Sequence, residues 1–298
     1  MAKIAVDLKQ GLARHAAAGP GRLEARVLGY GDGWTVEDVV CSCGPDDRPF
    51  EEQHDQVAIA IVTEGSFQYR GSGAAPGREL MTPGSLLLGS PGQYFECGHE
   101  HATGDRCLSF RYEPSRFEAI TAGAPGRGSR PGFGILRLPP LRDLSPVIVE
   151  ANASLAGCSG GSWEELSVIL AWRVVQLASA RTPSPQPPTS AAIARVTQTI
   201  RLIDERADHP LTLGELARAA KLSAFHFLRT FKNLTGVTPH QYLMRTRLRQ
   251  AAARLLDQPD KILEIALDSG FGDVSNFNRA FRTEFGVSPR AYRRAART

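Results

Sequence analysis

The sequence predicts an α+β, two-domain fold. A β-barrel followed by helices comes first, and an all-α domain with two helix-turn-helix motifs comes second. Three observations carry this. The first ~140 of the 298 residues hold short strand-like runs separated by turns. The segment Arg181-Thr-Pro-Ser-Pro-Gln-Pro-Pro-Thr-Ser190 holds four prolines in ten residues and breaks the chain. The part beyond it is helical in pattern and contains an internal repeat. The expected boundaries are residues 1–180 (barrel about 20–140, helices about 141–180), a linker at 181–190, and the all-α domain at 191–298.

Composition and charge agree with this division. Hydrophobic residues make up 42% and charged residues 22%, the mix of a soluble globular protein. No apolar run is long enough to span a bilayer, and the N-terminus lacks the core of a signal peptide. Five cysteines are too few and too odd in number for a disulfide scaffold, so a cytoplasmic location and no membrane partner are expected. The net charge of +4 conceals an asymmetry. Residues 1–194 carry 17 Lys+Arg against 21 Asp+Glu, a net of −4, whereas residues 195–298 carry 18 against 10, a net of +8. The basic third points to a polyanion partner for that part alone.

In the first domain, Val57–Thr63 is a β-branched run and Gly65–Gly71 alternates into a glycine-rich turn. Thr82–Gly89 reads as turn then strand, and Cys107–Tyr112 alternates again. Thr121–Gly132 is a Gly/Pro-rich loop. Ser145–Gly157 and Ser162–Ala180 are predicted helices, the second opened by a Ser162/Glu165 capping box. Its stripe of Leu166, Ile169, Leu170, Val174 and Leu177 suits either the domain core or a homodimer seam through 145–180.

Chemistry-bearing residues cluster at Cys97-Gly-His99-Glu-His101 and Cys107. On a strand, positions 97, 99 and 101 share a face. Imidazoles with thiols suit Zn²⁺ or another transition metal, and His54 could join from a neighbouring strand. The expected metal set is therefore His54, Cys97, His99, His101 and Cys107. Cys41-Ser-Cys43 is a second same-face thiol pair, placed before the barrel. A thiol redox switch and purely structural roles are the alternatives. Trp34, Trp163 and Trp172 read as packing, and Cys158 shows no partner.

In the last third, Ala191–Arg206 is a predicted amphipathic helix. The repeat then places Leu216-Ala217, Leu222, Phe227, Phe231, Gly236-Val-Thr-Pro239 and Tyr242 beside Ile265-Ala266, Gly270-Phe271, Phe277, Phe281, Gly286-Val-Ser-Pro289 and Tyr292. The offset is 49 at first and 50 from Phe227/Phe277, with one residue inserted near Gly272. Each copy reads as two short helices around a turn. Thr212 (with Glu215), Ser223 and Asp273 are N-caps, and Gly236 and Gly286 are stops. Met244–Leu256 joins the copies. Phe227, Phe231, Leu234, Phe277, Phe281 and Phe285 face the core. The opposite faces carry Phe225, Leu228, Arg229 and Lys232, then Val274, Ser275, Asn276, Asn278 and Arg279. Arginine suits guanine edges, asparagine suits adenine, and apolar side chains suit thymine methyls. The helix N-termini at Thr212 and Ser223 could accept phosphates.

The stretches LTLGELARAAKLSAFHFLRTFKNLTGVTPHQYL, RLRQAAARLLD and ILEIALDSGFGDVSNFNRAFRTEFGVSPRAYRR closely resemble the AraC/XylS-type DNA-binding domain over about a hundred residues. The resemblance implies a regulator of transcription that binds double-stranded DNA through two helix-turn-helix units, not an enzyme. It implies DNA contacts at Phe225, Leu228, Arg229, Ser275, Asn276 and Arg279, and RNA polymerase as a partner if the protein is an activator. It also implies an N-terminal cupin-like barrel that senses an effector or dimerises. The histidine pair and glutamate of cupin enzymes is absent in register, since His54 and Glu64 stand without a second histidine nearby. A metal-dependent cupin enzyme fused to a DNA-binding domain and a metal-free small-molecule sensor are the competing readings.

Overall fold

The computed structural model of the chain describes residues 21–72, 76–124, 132–155, 157, 161–181, 188–257 and 259–295. Residues 182–187 of the linker, Cys158 and most of the Thr121–Gly132 loop lie outside these. The chain divides into two compact units.

The N-terminal unit is antiparallel. Its strands are β1 (Leu23–Gly31), β2 (Trp34–Cys41), β3 (Phe50–Gln53), β4 (Val57–Gly65), β5 (Phe67–Gly71), β6 (Gly77–Met81), β7 (Leu86–Gly89), β8 (Tyr94–Gly98), β9 (Asp105–Tyr112) and β10 (Arg137–Leu138). They form a six-stranded sheet, β1-β2-β9-β4-β7-β10, and a four-stranded sheet, β3-β8-β5-β6. From β2 to β9 the chain crosses between the sheets at every step except the β5–β6 hairpin, the order of a double Greek key. The turn expected at Thr82–Ser85 closes with a bond from Ser85 N to Thr82 O, and Gly84 supplies the positive φ of 87°.

Strand alternation decides what each face of the large sheet meets. On β9, Arg106, Leu108, Phe110 and Tyr112 are at most 1% exposed and turn away from the small sheet. Helices α1 (Pro114–Thr121) and α3 (Trp163–Ser179) cover that side. Tyr112 packs on Phe117 with ring centroids 5.7 Å apart, Phe110 meets Trp163 at 6.3 Å, and the Tyr112 hydroxyl donates to Ser167 O at 2.8 Å. Between them runs a 3₁₀ turn (Arg142–Leu144) and α2 (Ser145–Leu155). The α3 stripe is buried at Leu166, Leu170 and Val174, so it belongs to this unit's own core, while Ile169 stays exposed. Ser162 caps α3 by accepting from Glu164 N, one residue short of the reciprocal Glu165 box expected. Trp34 packs in the core as expected, whereas Trp172 is 39% exposed.

A buried ion pair crosses from β2 to β9. Arg106 Nε and Nη2 donate to Asp38 Oδ1 and Oδ2, each at 2.8 Å, and Arg26 Nη2 of β1 reaches Oδ2 at 3.0 Å. Burial works against the Asp38 charge, but the two arginines hold its carboxyl below the usual carboxylate range.

The C-terminal unit holds α4 (Ser190–Glu205), α5 (Leu213–Ala219), α6 (Ala224–Thr235), α7 (Pro239–Asp257), α8 (Ile262–Asp268), α9 (Val274–Phe285) and α10 (Pro289–Ala295). The connecting helix α7 starts five residues earlier than its apolar pattern predicts. Pro239 suits a first helical turn, and Thr238 and Gln241 exchange bonds of 3.0 and 3.2 Å across that turn.

Asp38→Ala removes the carboxylate that receives two hydrogen bonds from the buried Arg106 and is expected to cost about 3–5 kcal/mol at neutral pH. Arg106→Met with Asp38→Leu should recover most of that loss. Because the folded Asp38 pKa is depressed, its stabilisation holds above the unfolded carboxylate pKa and disappears as pH falls through the folded value. Urea unfolding followed by tryptophan fluorescence checks both, since all three tryptophans precede residue 173 and report on this unit alone.

Candidate functional site

The two helix-turn-helix copies repeat their cores as well as their sequence. Phe227 and Phe231 pack at 5.5 Å and 59°, and Phe277 and Phe281 at the same 5.5 Å and 59°. Phe231 meets Tyr242 edge-on at 5.7 Å, and Phe281 meets Tyr292 edge-on at 5.5 Å. All four phenylalanines are fully buried. Ser223 accepts from His226 N at 3.3 Å and Asp273 from Asn276 N at 2.7 Å, so both second helices begin where expected. Both end on a left-handed glycine, Gly236 and Gly286, each with φ of 79°.

The turns explain the single inserted residue. Leu222 N bonds to Ala217 O at 3.0 Å and Phe271 N to Ala266 O at 3.1 Å, so the two remain equivalent. The cap follows directly in the first copy, at Ser223, but one residue later in the second, at Asp273. Gly272 is therefore the insertion. The left-handed residue of the turn is Lys221 in one copy (φ 54°) and Gly270 in the other (φ 81°). At Gly270 a Cβ would lie 2.8 Å from Asp208 O and 2.9 Å from Arg247 Nε. Arg247 is committed there, donating to Ala207 O and His209 O.

With the phenylalanines inward, the opposite faces point to solvent. Phe225 is 77% exposed. Arg229, Lys232, Ser275, Asn278 and Arg279 are exposed, whereas Leu228, Val274 and Asn276 are half-buried. Arg279 Nη2 donates to Asn276 Oδ1 at 3.1 Å, so Asn276 holds an arginine in place on the same face. The offset of 50 pairs Arg229 with Arg279 and Lys232 with Arg282. Arg282 is exposed as well, and the sequence reading passed it over although the repeat marks it. The N-terminus of α5 is taken: Thr212 N and Oγ1 both donate to Glu215 Oε2 at 2.8 Å, so a carboxylate already fills the place expected for phosphate. No acidic residue occupies the first turn of α6 or α9.

The second chemistry-bearing region is the interior of the β unit. A cavity of about 510 Å³ lies there, bordered by Phe50, Phe67 and Phe95 and by four cysteines, Cys41, Cys43, Cys97 and Cys107. The cavity-facing residues of β9 are Asp105, Cys107, Ser109 and Arg111, the alternates of those under the helices. Cys41 pairs with Asp105 across β2–β9, so Cys41 is part of the sheet and not a residue ahead of it. His99, just past β8, brings Nε2 to 2.7 Å from Asp105 Oδ2, and the Cys107 thiol donates to Asp105 Oδ1 at 3.4 Å.

The residues that meet here differ from the set expected from spacing. Cys41, His99 and Asp105, all buried, bring their ligand atoms within 4.8 Å of one another. His54 and His101 are not part of that group. His54 stacks on Phe95 at 4.1 Å and shares a 2.8 Å hydrogen bond with the Tyr69 hydroxyl, and burial pulls its pKa down to about 4. His101 is part-exposed, 3.8 Å from Glu100. Past Gly98 the chain turns, which ends the alternation that put residues 97, 99 and 101 on one face. Cys97 borders the cavity and packs against the Phe67–Tyr69 cluster. Asp105 was missed; its spacing of two from Cys107 was the available signal. Burial, and then the charge of Asp105, push the Cys41, Cys97 and Cys107 thiols up, and burial first raises Cys43. Such thiols are neutral and poor nucleophiles.

A family profile described as a helix-turn-helix domain matches residues 216–295. HTH-type transcriptional regulator MtrA of Neisseria gonorrhoeae is 31% identical over 100 residues, 34% of this chain and 33% of that protein. Regulatory protein SoxS of Salmonella typhimurium is 35% identical over 100 residues, which are 33% of this chain and 94% of SoxS. The match thus spans about a third of the longer relatives and nearly all of a short one. A solved transcriptional regulator of Chromobacterium violaceum, described by its AraC-type DNA-binding domain, is 25% identical over 36% of this chain and 96% of its own, with a TM-score of 0.34.

Gly270→Ala is expected to lower the helical unit's stability by about 1–3 kcal/mol, through the left-handed backbone and the carbonyl contact. Gly272→Ala meets open space and should stay within about 0.5 kcal/mol of the parent. Thermal melts followed by far-ultraviolet circular dichroism separate the two.

Proposed function

The chain belongs to the AraC/XylS family of transcriptional regulators, and from that premise we propose that α6 and α9 read base edges in two major-groove segments while the β unit senses an effector that controls them. The carrying observation is the repeated exposed face, with Arg229 and Arg279 at equivalent positions of two helices whose opposite faces are locked by the same aromatic core. An arginine held on a rigid helix can donate two parallel bonds to guanine O6 and N7. Asn276 orients Arg279 for that contact, which gives it a positioning role beside any adenine contact of its own. Phe225, apolar and almost fully exposed, earns no packing energy where it stands, and a thymine methyl is the partner its position suits. Lys232 and Arg282, one turn further along, suit phosphates.

The β unit is a cupin-like jelly roll in this reading. Its cavity is enclosed by two sheets and open to a bound group, which supports a sensing role over a purely structural one. A homodimer and an encounter with RNA polymerase complete the proposal for a regulator that activates.

Arg229→Ala and Arg279→Ala should each weaken binding to a selected operator by about 1–3 kcal/mol and relax base preference in one half of the footprint. Lys232→Ala should weaken all sequences alike and lower the salt dependence. Fluorescence anisotropy across a salt series, with footprinting, reads both effects. Parental footprints for the two arginine variants would show that α6 and α9 read DNA through another face.

A further inference from the structure

We propose that the β unit binds one soft divalent cation, of the zinc type, through Cys41, Cys43, His99 and Asp105. This deepens the sensing role proposed for that unit by naming the class of effector.

Three ligand atoms meet inside the unit, one from Cys41 at the end of β2 and two from His99 and Asp105, between the end of β8 and the start of β9. The donors of Cys41, His99 and Asp105 lie within 4.8 Å of one another, and all three residues are buried. Tetrahedral metal bonds of about 2.0–2.3 Å set ligand atoms about 3.3–3.8 Å apart, between the 2.7 Å that separates His99 from Asp105 and the 4.8 Å limit of the group. The frame is stiff where it matters, because Cys41 and Asp105 are register partners across β2 and β9. Cys43, two residues on from Cys41 and bordering the same cavity, is the fourth donor of the proposed shell. Its position is held by Gly104 N, which donates to Cys43 O at 2.9 Å.

The surroundings suit a cation as well as the donors do. The Cys107 thiol donates to Asp105 Oδ1, while Oδ2 is the oxygen that meets His99 Nε2. Cys107 is thus a positioning residue. Cys41, Cys43, His99 and Asp105 all border the 510 Å³ cavity, which offers a path of entry and room for exchange. Two thiolates and an imidazole favour zinc-like ions over magnesium or calcium, whose shells are built from oxygen. A cation entering the group displaces one proton from each of the two thiols to solvent, and the proton shared by His99 Nε2 and Asp105 Oδ2 moves to His99 Nδ1 or to solvent, which leaves both atoms to bind the metal. Affinity therefore rises with pH.

The full-length protein, purified without a metal-affinity tag and kept reduced, is titrated with Co²⁺ as the spectroscopic probe and then with competing Zn²⁺. One equivalent is expected, with the strong visible bands of tetrahedral cobalt and near-ultraviolet thiolate charge transfer, both abolished by Zn²⁺. Cys41→Ser and His99→Gln should lower affinity at least about tenfold. His54→Gln, His101→Gln and Cys97→Ser should bind as the parent does. Asp105→Asn, which keeps the side chain's size, tests the carboxylate should a cysteine variant prove poorly folded, and circular dichroism of each metal-free variant reports folding separately. The proposal is overturned if the reduced parent takes up no stoichiometric cation. It is equally overturned if folded Cys41→Ser, His99→Gln and Asp105→Asn all bind as tightly as the parent, or if the His54 and His101 variants lose the site. Anisotropy on operator DNA with and without Zn²⁺ then tests the sensing role alone, since stoichiometric uptake with unchanged DNA affinity leaves the site standing and removes its link to regulation.

Discussion

The pairing register of β2 with β9 is the constraint on which the N-terminal unit depends. A slip of one residue would turn Asp105, Cys107, Ser109 and Arg111 out of the cavity and drive Leu108, Phe110 and Tyr112 into it. The Arg106–Asp38 pair opposes that slip. It ties the two strands at a buried point with two parallel hydrogen bonds, and a slipped register would pull the two charges apart in low dielectric. The same alternation that seats the helices on one face of the sheet collects thiols and a carboxylate on the other.

The C-terminal unit rests on a different device, a supersecondary element used twice. Aromatic pairs of matching geometry fill both copies, each second helix is capped by a side-chain oxygen, and each ends on a left-handed glycine. Helix α7 packs against both copies, and Arg245 of α7 pairs with Glu284 of α9 at 3.2 Å. With the core positions of α6 and α9 taken by these phenylalanines, the remaining faces carry Arg229, Lys232, Arg279 and Arg282 beside the exposed Phe225. That is the surface a polyanion requires.

Much of this was legible before any coordinates. The caps at Ser223 and Asp273, the stops at Gly236 and Gly286, and the buried Phe227, Phe231, Phe277 and Phe281 follow from local signals and from a repeat whose two copies check one another. The single insertion near Gly272 was visible for the same reason. Two short signals were passed over, Thr238-Pro-His-Gln241 at the start of α7 and Arg282 as the counterpart of Lys232. The α3 stripe could not be assigned from its period alone, because a buried face and a dimer seam share one spacing.

The amino-acid sequence by itself determined the elements whose causes are local: helix starts and stops, strand periodicity, the repeat and the split of charge. It also determined which residue types were available for metal chemistry. Only the tertiary structure decided which of them meet. His99 and Asp105 are six residues apart, but Cys41 lies far from both in the chain, and the pairing of β2 with β9, not spacing, brings it to them. His54 and His101 have equally suitable imidazoles, yet packing commits the first to Tyr69 and Phe95 and leaves the second at the surface. Ligand geometry is a long-range property of the fold, set by register and by the turn beyond β8, and neither is written in the local pattern of the chain.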